Sequence, residues 1–102
     1  MRNVSKKQAV KNRTLAKIKS ELIETSGNVC VITGNYGDDL MHLLPKSIYP
    51  EYYLEPRNLV IGSRDAHNEF DNSINFRRLQ TALYEQVKEF DELAANRYFG
   101  MN

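Results

Sequence analysis

Two histidines, His42 and His67, and an asparagine between them, Asn58, stand in one stretch of the chain. Around them the sequence reads Asp38-Asp39-Leu40-Met41-His42-Leu43-Leu44-Pro45-Lys46-Ser47, then Arg57-Asn58-Leu59-Val60-Ile61, then Ala66-His67-Asn68-Glu69-Phe70-Asp71. Imidazole has its ordinary pKa near neutrality, so it can take a proton from water or give a lone pair to a metal. A spaced His, Asn, His set can therefore supply a proton acceptor, an organiser and a metal ligand. Asp71 follows His67 by four positions, which places both on one face if a single helix carries them.

Such side chains act together only if the backbone gathers them. The β-branched run Asn28-Val29-Cys30-Val31-Ile32-Thr33 and the turn formers Gly34-Asn35-Tyr36-Gly37-Asp38 predict a hairpin into a second strand at 40–44, which carries His42 and ends at Pro45. Pro50 and Pro56, with Tyr49, Tyr52 and Tyr53, suit an ordered loop pinned by aromatic rings. Leu59-Val60-Ile61 reads as a brief extended piece closed by Gly62-Ser63, and a short helix at 65–70 would carry His67.

Two flanking helices are expected. Ser5-Lys6-Lys7-Gln8 has the form of a capping box, and Val10, Leu15, Ile18, Leu22 and Ile23 predict a helix over 6–25, stopped at Gly27 and docked through its second half. Phe76, Leu79, Leu83, Val87, Phe90 and Leu93 or Ala94 form a one-sided stripe that predicts one long helix over 74–98. That stripe fits packing on its own chain or on a second copy, so a homodimer stays open. The fold class is α+β in a single domain: a basic helix over 1–27, a central unit over 28–72 and a C-terminal helix over 73–102.

At 102 residues there is room for one small domain with a modest core. Hydrophobic content of 41% and charged content of 26% are those of a globular protein, and no apolar run approaches the ~20 residues of a membrane span. No membrane partner is expected. The start lacks the apolar stretch of a signal peptide, and the lone Cys30 fits a reducing compartment, so a cytoplasmic location is expected. The net charge of +1 hides an asymmetry, because the first twenty residues hold seven basic and no acidic side chains. A basic arm of this kind attracts a polyphosphate, or is simply a solvated helix face.

In the order His, Asn, His, spread over a hairpin, a loop and a helix, the segment from about Val29 to Asn72 resembles the HNH nuclease family, whose fold is the ββα-metal finger. Met41-His42-Leu43-Leu44-Pro45 resembles that family's opening motif, Arg57-Asn58-Leu59-Val60 its Asn-Leu step, and Ser63-Arg64-Asp65-Ala66-His67 its Cys-x-x-Cys-His turn. The resemblance implies a DNA endonuclease, with DNA as partner and a divalent cofactor, magnesium or manganese. His42 would be the general base and Asn58 would hold the loop that orients it. His67 would bind the metal, with Asp71 as second ligand; Asp71 read alone could equally cap the last helix. Lys6, Lys7, Lys11, Arg13, Lys46, Arg57 and Arg64 would contact phosphates. Small members of this kind resemble those of phages and mobile elements, and so little surface suits branched or flexible DNA better than a recognition sequence.

The chain departs from the family's pattern twice. Its usual first metal ligand is here Met41, a poor donor for a hard cation; Asp39, two residues earlier on the same strand face, is a candidate replacement, with Asp38 as a second choice. On this reading Met41→Asp restores the family's ligand and raises activity if metal affinity is limiting. The structural zinc of many members would need cysteines where Thr33, Ser63 and Ala66 stand, so no structural zinc is expected and Cys30 reads as a small buried hydrophobe. The alternative is a degenerate finger that binds DNA or a protein without cleaving.

Overall fold

In the computed structural model, which describes residues 5–101, helix α1 (Lys6–Ser26) begins where Ser5 accepts the Gln8 amide hydrogen at 3.1 Å. The reciprocal half of a capping box is not formed, because the Gln8 side chain donates to Asn12 instead. Gly27, at φ +78°, ends the helix and returns its N–H to the Ile23 carbonyl. Ile18 is the one residue of α1 that is fully buried, and Leu22 and Ile23 are half-buried. Lys6, Lys7 and Arg13 stay in solvent.

The sheet differs from the hairpin that the sequence predicts. Strand β1 (Asp39–His42) pairs antiparallel with β2 (Leu59–Gly62), from Asp39 opposite Gly62 to His42 opposite Leu59. The 29–33 run instead turns back at Gly34, makes one isolated bridge between Val29 and Tyr36, and reaches β2 through a Val31 N–H to the Ile61 carbonyl. Burial explains the choice. Every residue of β2 is buried, whereas Val29 and Val31 remain 46% and 48% exposed, so pairing β1 with β2 removes more apolar surface from water. Gly37 seats the turn: a β-carbon there would come within 2.7 Å of the Gly62 carbonyl carbon and 2.9 Å of the Ser63 nitrogen.

Residues 43–58 connect the strands through two single-turn 3₁₀ helices, Pro50–Tyr52 and Pro56–Asn58, each with proline at its first position, where its fixed φ suits a helix start. Tyr52 pins this loop by donating its hydroxyl hydrogen to Asp91 at 2.6 Å and setting its ring edge-on to Phe90. Helix α2 (Arg64–Asn72) follows β2, capped by Ser63, which accepts the Ala66 amide hydrogen.

The predicted long C-terminal helix is three short ones, α3 (Ile74–Arg78), α4 (Thr81–Lys88) and α5 (Glu92–Phe99). Two members of the expected stripe, Leu79 and Leu93, are 74% and 76% exposed. Ser73 caps α3 and Asp91 caps α5 through the Ala94 amide, so Asp71 is not the cap of the last helix. A straight helix over 74–98 would run ~37 Å. The folded-back arrangement instead brings Phe99 onto Phe70 at 5.6 Å between ring centres. Buried Arg77 fastens it: its guanidinium donates to the carbonyls of Phe70, at the end of α2, and Tyr98, in α5, while lying 3.8 Å from the Tyr98 ring centre.

Met41, Leu43, Leu44, Val60, Phe70, Leu83, Val87 and Phe99 form the core. Met41 is wholly buried, and a β-carbon on Gly62 would lie 2.1 Å from its sulfur. A carboxylate at 41 would therefore enter the core rather than the site, and the expectation that Met41→Asp restores a ligand is corrected. Among the described residues no helix is long and apolar enough to cross a membrane.

Two outcomes follow for stability. Gly37→Ala is expected to cost about 1–3 kcal/mol, because backbone atoms must move to admit the methyl group; an unchanged urea midpoint would contradict this packing. Met41→Asp is expected to lower stability by at least ~2 kcal/mol at neutral pH, since it buries a charge without a partner. Thermal unfolding across pH checks it, with the loss shrinking as the carboxyl is protonated.

Candidate active site

An open cleft of about 200 Å³ is lined by Leu40, His42, Pro45, Lys46, His67 and Asp71. The two-residue alternation of a strand accounts for its first wall: Leu40 and His42 share one face of β1, while Met41 points to the core. The helical four-residue repeat accounts for the second, with His67 and Asp71 on one face of α2.

His42 is held on two sides by one residue. Its Nε2 lies 2.9 Å from the Tyr53 carbonyl, an acceptor that requires the hydrogen on Nε2 and leaves Nδ1 as the lone-pair nitrogen of the neutral ring. The ring also stacks on Tyr53, 5.0 Å between centres and 2° from parallel. Burial pushes His42 below its ordinary pKa, and nearby His67 adds to this, while the Tyr53 carbonyl and Asp71 oppose it. The net effect favours the neutral, proton-accepting form.

Asn58 is fully buried and is not among the residues that line the cleft. Its Oδ1 accepts the Leu44 amide hydrogen at 2.8 Å, and its Nδ2 donates to the Leu44 carbonyl at 3.0 Å and the Tyr52 carbonyl at 3.1 Å. Its own carbonyl accepts from Leu43. It binds the residues after His42 to those before Tyr53.

His67 stands between two carboxylates. Nδ1 lies 3.2 Å from an Asp39 oxygen and Nε2 lies 3.2 Å from an Asp71 oxygen. Burial raises the pKa of Asp71, while His67, Arg77 and His42 pull it down. On the Asp39 side the carboxylate is already engaged, with Arg64 Nε at 2.9 Å. Asp39 therefore reaches the ring, although the alternation that turns Met41 into the core does not predict it, and it does so on the edge opposite Asp71 and already paired with a cation.

The donor set bears on a divalent ion. Cis ligands of an octahedral ion at ~2.1 Å are about 3 Å apart, and magnesium commonly keeps water in its other positions. The 3.2 Å between His67 Nε2 and Asp71 is close to that spacing, so these two residues fit a loosely held magnesium or manganese ion. Among the described residues, no group of three or more His, Cys, Asp or Glu side chains is arranged to hold a metal.

The basic residues divide. Lys46 lines the cleft, and Lys11 reaches the same neighbourhood, 5.8 Å from the Tyr53 ring centre. Arg57 is turned onto Glu55 by two hydrogen bonds, and Arg64 onto Asp39. Lys6, Lys7 and Arg13 lie on the solvated face of α1. Cys30 is buried, with the Thr33 amide hydrogen-bonded to its sulfur, so a neighbour that carries no thiol holds this turn. Sequence reasoning missed Tyr53 as a partner of His42. The signal available was its position between Pro50 and Pro56, where the loop must fold back.

Comparison of the chain with family models, with curated proteins and with solved structures found no match.

Asn58→Ala is expected to cost at least ~2 kcal/mol, because it strands the buried Leu44 amide and carbonyl. Urea unfolding checks the loss. Amide exchange at Leu44 should rise well beyond the global change, and a uniform rise alone would contradict a local role for the side chain.

Proposed function

We propose that the protein is a metal-dependent endonuclease of the HNH type, in which β1, β2 and α2 are the ββα finger and DNA phosphodiesters are the substrate. The observation that supports this best is the pairing, in one cleft, of a histidine with a carbonyl on Nε2 and a second histidine beside a carboxylate. His42 Nδ1 takes a proton from the water that attacks phosphorus, and the bond from phosphorus to the leaving sugar oxygen breaks. The Tyr53 carbonyl accepts from Nε2 throughout, so the imidazolium formed is stabilised where it is made. His67 and Asp71 would hold the cation, and Lys46 would face the phosphate. When bound, the divalent ion supplies positive charge against the charge that develops on the phosphate.

A second reading has its own observation. With Met41 in the core and Asp39 held by Arg64, the usual first ligand is missing, which favours a finger that binds DNA or a protein partner without cutting. Incubation with plasmid DNA in magnesium or manganese separates the two. Nicking that disappears in His42→Ala supports the nuclease; tight DNA binding without nicking supports the second reading.

His42→Ala is expected to lower cleavage by about 10²–10⁴-fold while leaving metal and DNA binding near wild type. His67→Ala is expected to weaken metal binding, read by manganese titration, and cleavage together. The pH dependence has a definite sign: a base with a lowered pKa stays neutral below the ordinary value of 6.5, so the rate should fall on acidification with a midpoint under 6.5. An acid limb centred at or above 6.5 would contradict the buried setting of His42.

A further inference from the structure

Lys11 in α1 and Lys46 after β1 come from distant parts of the chain, yet both ammonium groups lie over the ring of Tyr53, at 5.8 and 4.4 Å from its centre. Neither forms an ion pair with a carboxylate among the described residues. The ring's electron-rich face attracts each cation, but two cations at one ring also repel each other, and an anion beside them relieves the repulsion. The same ring is stacked on His42, and the carbonyl of the same residue receives the Nε2 hydrogen. Tyr53 thus joins a pair of unpaired cations to the one imidazole of the cleft that has a fixed hydrogen. We infer that Tyr53 is the positioning residue for His42 and that Lys11 and Lys46 seat a DNA backbone phosphate beside the cleft, which makes α1 part of the substrate site. This rests on the nuclease reading given above.

The physical roles are separable. The stack restricts rotation of the imidazole about its side-chain bonds, so that Nδ1 keeps one direction; a small misplacement of a reacting group costs ~10²-fold in rate. The lysines contribute charge, which acts on binding and on its salt dependence. A substitution of the ring should therefore act on kcat, and a substitution of Lys11 on KM.

The experiment combines DNA-cleavage kinetics, DNA affinity as a function of salt, and the ¹⁵N spectrum of the His42 imidazole without DNA, for Tyr53→Leu, Tyr53→Phe, Lys11→Gln and the distant control Lys88→Gln. Tyr53→Leu is expected to lower kcat ~10-fold or more with KM within about twofold, and, because the unstacked imidazole rotates away from the backbone carbonyl that the variant retains, to replace a single Nε2–H tautomer by an averaged one. Tyr53→Phe should restore both readings. Lys11→Gln should raise KM and reduce the slope of log affinity against log salt by about 0.9, the contribution of one phosphate contact, while Lys88→Gln leaves the slope unchanged. A wild-type kcat and an unchanged tautomer in Tyr53→Leu, or an unchanged salt slope in Lys11→Gln, overturns the inference. If every protein, wild type included, leaves DNA uncut, the nuclease reading falls, and the tautomer and the salt slope still decide the roles of Tyr53 and Lys11.

Discussion

A single buried amide joins the parts on which the cleft depends. Asn58 makes three side-chain hydrogen bonds with no exposure to water, two to the backbone of Leu44 and one to that of Tyr52. Buried polar groups of this kind must be paired, so the positions of the three backbone groups are coupled: none can shift without stranding another. Leu44 follows β1 and Tyr52 precedes the carbonyl that meets His42. The geometry at His42 is therefore inherited from a residue that does not enter the cleft, and the connection between the strands acts as a fixed wall.

Charge is organised around His67 in a comparable way. The two carboxylates address opposite edges of the ring, and the ring can donate to both only as a cation. Arg64 has settled the Asp39 edge by supplying a permanent positive charge there. The Asp71 edge is the one that faces the cleft. This asymmetry separates a structural carboxylate from a candidate ligand, although both touch the same side chain.

Parts of this arrangement were legible in the sequence for local reasons. The Ser5 cap and the Gly27 stop follow from backbone chemistry within a few residues, and the i, i+4 relation of His67 and Asp71 follows from helix geometry. The strand partner of β1 was not legible, because a β-branched run at 29–33 and another at 59–61 carry the same local preference, and burial, a property of the whole fold, decides between them. The breaks after Arg78 and Lys88 were hidden for a related reason. The stripe through Leu79 and Leu93 fits a straight helix, but folding back buries Phe99, a tertiary gain that no periodicity records. Arg64 illustrates a further limit: its basic character was readable, its preference for Asp39 over solvent was not. Tyr53 is the same case in reverse, an ordinary loop aromatic by composition and a neighbour of His42 by geometry.

Arg77 was described as the fastening of the C-terminal helices, yet its guanidinium also acts on Asp71, where it counters the pull of burial toward the protonated acid. No residue of α3, α4 or α5 lines the cleft. The C-terminal third nevertheless sends an electric field into it, through a cation whose location is dictated by the helix ends it binds. Remodelling those helices for solubility or for oligomerisation would thus retune the ionisation of a carboxylate that none of them touches as a wall, and architecture and electrostatics at this site cannot be altered one at a time.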